Sequence, residues 1–223
     1  MKINIEKAIE SFRINFSLIR RDGADELLKW IESETDFYTA PASAAHHLAC
    51  GSGLLIHSLN VRNNLDMFNR QLNLGFKDET VSICGLLHDL DEETAPWRDD
   101  FGTHGPTSAK ILQEEGYGDP VMENAIMAHN PACGKQPETT LEYALIAADP
   151  MSGFIKAIAQ IYPDKKVASV KHKSVNKRFK ETRFAAGANR QFMSLIEKAG
   201  MEWDEFVDVS LEAMREIADE IGL

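Results

Sequence analysis

The sequence predicts an all-α protein. Its apolar residues recur every three or four positions, as along one face of a helix, beginning with Ile5, Ile9, Phe12 and Phe16. No run alternates convincingly between apolar and polar residues, and clusters rich in Val, Ile and Thr, which are typical of sheets, are missing. With 43% hydrophobic residues in a chain of 223, the protein can bury a substantial core.

We expect one domain over residues 1–223, built as a helical bundle. Its core should span about 37–190, with N-terminal helices in 4–33 and a C-terminal helix at 203–221 packed on it. The chain contains no internal repeat and no low-complexity linker that would divide it.

Start and stop signals place the helices inside this bundle. Asp78 is expected to cap a helix that runs toward His88. Asp119 followed by Pro120 predicts an N-cap with proline at the first helical position, and Gly116 should end the helix before it. Further helices are predicted at 54–69, 107–115, 139–148 and 151–161.

Composition excludes several classes of protein. A formal net charge of −11 makes nucleic acid an unlikely partner. Three cysteines without a CxxC pair predict reduced thiols. The N-terminal segment has no signal-peptide core, and the uncharged stretch 37–61 holds three histidines, a proline and two glycines, so it is no membrane span. We expect a soluble, cytoplasmic protein without a membrane partner.

Histidines and aspartates stand at informative positions in the predicted helices. His57 lies in the amphipathic stretch GLLIHSLNV, and His88-Asp89 and His129 fall near the ends of their helices. Asp149 has apolar surroundings, ALIAADPMSGF. Such residues on different helices can converge in a bundle core as metal ligands. Imidazole and carboxylate without thiolate suit iron, manganese, nickel or zinc.

Each residue also has an ordinary interpretation. A single histidine on an apolar helix face is more often a hydrogen-bonded core residue than a ligand. Asp149 precedes Pro150 and could be an N-cap. His104 in FGTHGPTSAK, and His46 with His47, could belong to ordinary loops. A single buried metal site would account for these histidines and aspartates together, which favours the metal hypothesis.

The order of His57, His88-Asp89 and Asp149 resembles the HD superfamily of metal-dependent phosphohydrolases. GLLIHSLNV and ICGLLHDL are similar to its first two motifs, and the similarity runs over about 37–190. The later stretch AADPMSGFIKAIAQIYP is similar to a bacterial and archaeal branch of predicted HD hydrolases, whose name implies no substrate.

The resemblance implies a ligand set and a cofactor. His104 and His129 match two further histidines of binuclear members, and Asp89 would bridge the two ions and accept the proton of the water as the catalytic residue. The expected cofactor is one or two divalent ions per chain, with Fe, Mn, Ni, Zn and Mg all open. The residues that match the ligands of the first metal are His57, His88, Asp89 and Asp149.

The sequence departs from the family pattern directly after the HD pair. Many binuclear members continue with an apolar residue, Gly and Lys, whereas here Leu90 is followed by Asp91 and Glu92. The lysine that could contact a phosphate is therefore missing. Residues 165–190 could replace it, because they carry nine basic residues and one acid, a local net charge of +8 against −19 for the rest of the chain.

The basic segment is open to two interpretations. It could be a solvated helix face, the usual fate of a charge run. Alternatively, Lys173, Lys177, Arg183 or Arg190 reaches into the metal cleft and binds an anionic substrate. The short span of the segment and the acidity of the chain favour a small phosphate compound over DNA or RNA.

The sequence thus predicts a metal-dependent phosphohydrolase that cleaves a phosphoester of a small anionic substrate, with nucleotides among the candidates, by means of a metal-activated hydroxide. An HD-type di-iron oxygenase would use the same six ligands and ranks second. A non-catalytic module that binds a nucleotide and signals its presence ranks third, because a sensor would not need the complete set. A homodimer is left open.

Overall fold

A computed structural model of the chain describes residues 4–42, 51–91, 99–116 and 119–223. Within these ranges the chain forms helices and turns without strands, so the predicted all-α class is confirmed. The α-helices are α1 (Ile5–Phe16), α2 (Ala24–Glu34), α3 (Gly53–Leu72), α4 (Asp78–Leu87), α5 (Pro106–Glu114), α6 (Pro120–Ala128), α7 (Thr140–Ile161), α8 (His172–Phe179), α9 (Arg190–Ser194), α10 (Trp203–Glu216) and α11 (Ala218–Ile221). Short 3₁₀ turns lie at Phe101–Thr103, Pro131–Cys133, Val167–Ser169 and Leu195–Ala199.

Helices α3 and α7 form the centre of the bundle and pack against each other. Residues 53–65 of α3 are all buried, as is most of α7. The outer helices surround this pair: α1, α4 and α10 pack on α3, while α6, α8 and α9 pack on α7. A helix that is buried on all sides lies inside a protein rather than on its surface. Side chains from α3 and α7 therefore point into the core.

One prediction about α7 is wrong. Separate helices were expected at 139–148 and 151–161, but one helix runs over Thr140–Ile161 with Pro150 inside it. Proline within a helix removes one backbone hydrogen bond and costs about 3 kcal/mol. Here the buried side chains on both sides of Pro150 keep the helix continuous, because packing rather than propensity decides helix stability in proteins. Asp149 is therefore a mid-helix residue and not an N-cap.

Helix α7 also bears on the membrane question. Among the described helices it is long and apolar enough, by length and composition, to cross a membrane. However, 78% of its apolar window is buried inside the protein. Burial of this kind is what the core helix of a soluble domain shows. The cytoplasmic location stays a prediction.

Most other helix boundaries agree with the sequence signals to within a few residues. Asp119 accepts a hydrogen bond from Val121 N, and Pro120 opens α6 as predicted. The N-cap of α4 is Lys77, so Asp78 is its first residue, where an acid still interacts favourably with the helix dipole. The predicted helix 203–221 is divided at Ile217 into α10 and α11. The short helices α8 and α9 were not predicted.

Gly85 sets how closely α4 approaches α3. A Cβ atom at this position would lie 2.4 Å from Arg62 Cα and 2.7 Å from Arg62 Cβ. Because the clash involves backbone, a side-chain rotation cannot relieve it and the two helices would have to separate. Separation would also disturb His57 on α3 and His88 at the end of α4.

We therefore expect Gly85→Ala to lower the free energy of unfolding by about 3 kcal/mol. Ser82→Ala is the matched control, because Ser82 is buried on the same helix and its hydroxyl has no hydrogen-bond partner among the described residues. Removing that hydroxyl should be neutral or slightly stabilising. Urea unfolding of the two metal-free variants checks this. Equal stabilities would show that Gly85 does not set the packing of α3 on α4.

One histidine, hydrogen-bonded to two aspartates, ties α8 to α10 at the surface. His172 Nδ1 lies 2.7 Å from Asp208 Oδ1, and His172 Nε2 lies 3.0 Å from Asp204 Oδ1. Asn176 also donates to Asp204 Oδ1 at 3.0 Å. The hydrogen bond to Asp208, opposed by partial burial and helped by Asp204, raises the pKa of His172 above its usual value of 6.5. A protonated ring can donate to both carboxylates at once.

This raised pKa makes one stability contribution dependent on pH. Because the pKa is higher in the folded state, the contribution is complete below pH 6.5 and is lost as the pH rises through the folded value. We expect His172→Ala to destabilise the protein most near pH 6 and progressively less toward pH 9. Urea unfolding of both proteins across this range measures the difference. A difference in the free energy of unfolding that is constant or grows with pH would contradict the raised pKa of His172.

Candidate metal centre

The six residues that the sequence singled out as ligands meet in the core of the bundle. They come from α3, from the ends of α4 and α6, from the turn before α5 and from the middle of α7. Five of them are buried, and Asp149 is the most open, with 25% of its side chain exposed. The six are His57, His88, Asp89, His104, His129 and Asp149.

These residues form two groups, each able to hold a metal ion. The first group contains His57, His88 and Asp149. In it, His57 Nε2 lies 3.1 Å from Asp149 Oδ1 and 3.4 Å from His88 Nε2. Within each group the ligand atoms all lie within 4.8 Å of one another.

The second group contains Asp89, His104 and His129. The two imidazole rings are nearly perpendicular, with 3.1 Å between their Nε2 atoms. Asp89 Oδ1 lies 3.4 Å from His104 Nε2 and 3.3 Å from His129 Nε2. Its other oxygen, Oδ2, is 3.4 Å from His57 Nε2 in the first group. The carboxylate of Asp89 therefore stands between the two groups.

Two of the histidine rings are oriented by their own helices. His88 is the C-cap of α4, and its Nδ1 lies 3.1 Å from the carbonyl oxygen of Gly85. His129 is the C-cap of α6, and its Nδ1 is hydrogen-bonded to the carbonyl oxygen of Ile126. A carbonyl can only accept, so Nδ1 carries the proton in both rings. In the neutral ring, Nε2 then presents a lone pair to the centre.

The other two rings are oriented by neighbouring side chains. His57 Nδ1 lies 3.4 Å from Ser152 Oγ, and that hydroxyl donates to the Asp149 carbonyl at 2.8 Å, so it can only accept from the ring. His104 Nδ1 donates to Asp91 Oδ1 at 2.9 Å. All four histidines thus direct Nε2 toward the carboxylates, as metal-binding imidazoles do. The residues present fit divalent metal ions, although they leave the identity of the metal open.

The electrostatics of these residues agree with this fit. Burial lowers the pKa of His57, but hydrogen bonds to Asp149 and Asp89 outweigh it and raise the pKa to about 10. Burial likewise opposes the hydrogen bonds from His104 to Asp89 and Asp91, which raise its pKa to about 11. Without an ion, these two rings are protonated and pair with the carboxylates. Metal binding should therefore release protons.

The remaining groups of the centre titrate in the opposite direction. Burial lowers the pKa of His88 to about 4, so this ring is neutral at physiological pH. Burial would raise the pKa of Asp149, but the hydrogen bond from His57 lowers it to about 2. Asp89 also has a pKa well below its usual value, because His88 and the other histidines outweigh the cost of its burial. Both carboxylates are anionic, which suits a cation between them.

A helical bundle with two buried groups of histidine and aspartate defines a candidate metalloprotein. Residues 54–150 match the family model of the HD domain, a stretch that contains all six site residues. This match is consistent with an HD-superfamily domain in this part of the chain, as the resemblance implied, and HD domains are typically those of metal-dependent hydrolases. Comparison with curated proteins gave no significant match, and comparison with solved structures gave none either.

The basic residues predicted to bind substrate lie on α8, in the loop after it and at the start of α9. Lys173 and Arg183 are exposed. Lys177 lines a surface hollow beside Ile158, which is nine residues beyond Asp149 and so about 13 Å further along α7. The role of these side chains stays a prediction.

Arg190 is engaged with the polypeptide itself. Its guanidinium donates to the carbonyl oxygens of Ala185 and Ala188, both at 2.6 Å, and to that of Phe184. It also stacks over the ring of Phe154 at 4.3 Å. These contacts stabilise the loop before α9, and a role in substrate binding would require some of them to be exchanged.

Sequence reasoning did not assign roles to three residues that support the ligands. They are Ser152 and Asp91, described above, and Asn130, which donates to the carbonyl oxygens of Phe101 and His104. Only Asp91 gave a signal in the sequence, as a departure from the family pattern. His46, His47 and Glu92 lie outside the described residues.

Proposed function

We propose that this protein is a metal-dependent phosphohydrolase that cleaves a phosphoester of a small anionic substrate. The observation that carries the proposal is the orientation of the four buried histidines, which all direct Nε2 toward Asp89 and Asp149. Neutral nitrogen and anionic oxygen donors, without thiolate, are the ligands of catalytic divalent ions.

The two groups would hold one ion each, with Asp89 between them. A divalent ion bound here would supply the hydrolytic chemistry, since it lowers the pKa of a bound water from 15.7 to about 7. Asp89 is placed to accept the proton of that water, because its carboxylate reaches both groups. Asp149 is the most exposed of the six side chains, so substrate would approach from its side.

The positive charge that balances the phosphoryl group would come from outside the two groups. Among the residues of the basic segment, Lys173, Lys177 and Arg183 are the candidates, because Arg190 is held by backbone carbonyls. Cationic side chains beside a phosphoryl group stabilise the charge that develops in the transition state.

A panel of phosphate compounds tests the proposal. Protein freed of metal and reloaded with Mn²⁺, Zn²⁺ or Fe²⁺ would be assayed for phosphate release from aryl phosphates, aryl phosphodiesters and nucleotides. We expect release by the loaded wild type and by His172→Ala, whose histidine lies outside the centre, and none by Asp89→Ala or after chelation. Oxygen consumption by the iron form without phosphate release would favour the oxygenase, and nucleotide binding without turnover would favour the sensor.

A further inference from the structure

Asp91 follows the HD pair by two residues and is completely buried. A buried carboxylate costs several kcal/mol unless it is paired and hydrogen-bonded. Its bonds all run to the turn that opens α5. Oδ1 accepts from His104 Nδ1 and Oδ2 accepts from Gly105 N, each at 2.9 Å, while its own N–H donates to Ser108 Oγ at 2.9 Å.

The turn that Asp91 holds is packed tightly against the end of α6. Gly105 has a φ of +87°, and a Cβ atom there would lie 3.0 Å from Ile126 O and 3.4 Å from His129 Cε1. A side chain at this position would be both strained and crowded. The bond from Gly105 N to Asp91 therefore fixes the segment that sets the distance between His104 and His129.

His104 depends on this support more than the other three rings do. His88 and His129 are bonded to the last turns of their own helices, and His57 lies within α3. His104 lies between the 3₁₀ turn Phe101–Thr103 and α5, outside the α-helices, and Asp91 accepts a hydrogen bond from its Nδ1. In the first group, the described ring contacts run to Ser152 and Gly85 instead of Asp91.

We propose that Asp91 is a positioning residue for the second metal ion. It holds His104 so that Nε2 faces His129 and Asp89, and it holds the turn at Gly105 against α6. This inference rests on the proposed metal centre but not on the substrate. Asp91 thus supplies a carboxylate that orients a ligand and also holds the turn that carries it.

Stepwise titration of metal-free protein with Mn²⁺ or Co²⁺ tests the proposal. Asp91→Asn keeps the volume and one acceptor for His104 but cannot accept from Gly105, whereas Asp91→Ala removes both bonds. Loss of a group that orients a metal ligand weakens metal affinity about 10–100-fold. We expect the affinity for the ion of the second group to fall by this factor in Asp91→Asn and further in Asp91→Ala. The affinity for the ion of the first group should be unchanged. The Co²⁺ absorption of the second equivalent should change in parallel.

Glu142→Gln is the control for a merely structural effect. Glu142 is also a buried acid, but it caps α7 and belongs to neither group. The Glu142→Gln protein should have a lower melting temperature and still bind about two ions per chain. If Asp91→Ala does not fold, Asp91→Asn carries the test. If the wild type binds about two ions and the Asp91 variants bind them as well, or lose both equally, this inference alone is overturned. It is also overturned if the wild type binds only one ion. If the wild type binds none, the proposed function is overturned as well.

Discussion

Asp89→Ala is expected to release both metal ions and to lower turnover by about a thousandfold or more. The reason is geometric, because Asp89 is the residue whose carboxylate faces both groups. Its Oδ2 lies 3.4 Å from His57 Nε2 and its Oδ1 lies 3.3 Å from His129 Nε2. Without it, Asp149 would be the only carboxylate among the six residues to balance the charge of two cations.

Elemental analysis of the purified variant, together with a phosphate-release assay, measures this effect. Asp208→Ala is the matched control, because Asp208 also pairs with a histidine, His172, but on the surface and away from the centre. The control should retain both metal and activity. An Asp89→Ala protein with full metal content and an unchanged rate would show that the site is wrongly assigned.

The second large effect concerns the two histidines of the second group. His104→Ala and His129→Ala should each lower the metal content from about two ions per chain toward one, while the fold survives. The first ion would still have four ligands, which are His57, His88, Asp89 and Asp149. Turnover should fall by orders of magnitude, because one of the two cations that acidify the water is lost.

His57→Ala should be more damaging than either of these variants. His57 lies on a central helix and its Nε2 contacts both Asp149 and Asp89. Its loss would leave the first ion undercoordinated and the two carboxylates without this partner. Elemental analysis read beside melting curves separates a ligand from a structural residue. If His104→Ala or His129→Ala changes the melting temperature but not the metal content, the histidine is structural.

The sequence predicted the helical class because helical periodicity is a local property, whereas the full set of six residues came from the resemblance to the HD superfamily. His88 and His129 each end a helix, which is visible from the periodicity that precedes them, and the spacing of the HD motifs does not depend on tertiary contacts. The order of the motifs also pointed to the HD superfamily, which the match over 54–150 confirmed.

What sequence reasoning missed depends on packing. The break expected at Pro150 does not occur, because buried side chains on both sides hold α7 together at the cost of one hydrogen bond. Asp91 was noted only for the lysine pattern that it interrupts, and its hydrogen bond to His104 crosses from one segment to another. The contacts of Arg190 with three carbonyls could not be inferred from a run of basic residues.

A crystal structure of the Mn²⁺-loaded protein with anomalous scattering data tests the central claim most directly. We expect two anomalous peaks about 3.5–4 Å apart. One should lie among His57, His88 and Asp149, the other between His104 and His129, with the Asp89 carboxylate bridging them. A single peak at saturating metal would contradict the two-ion centre, and peaks remote from these residues would contradict the site itself.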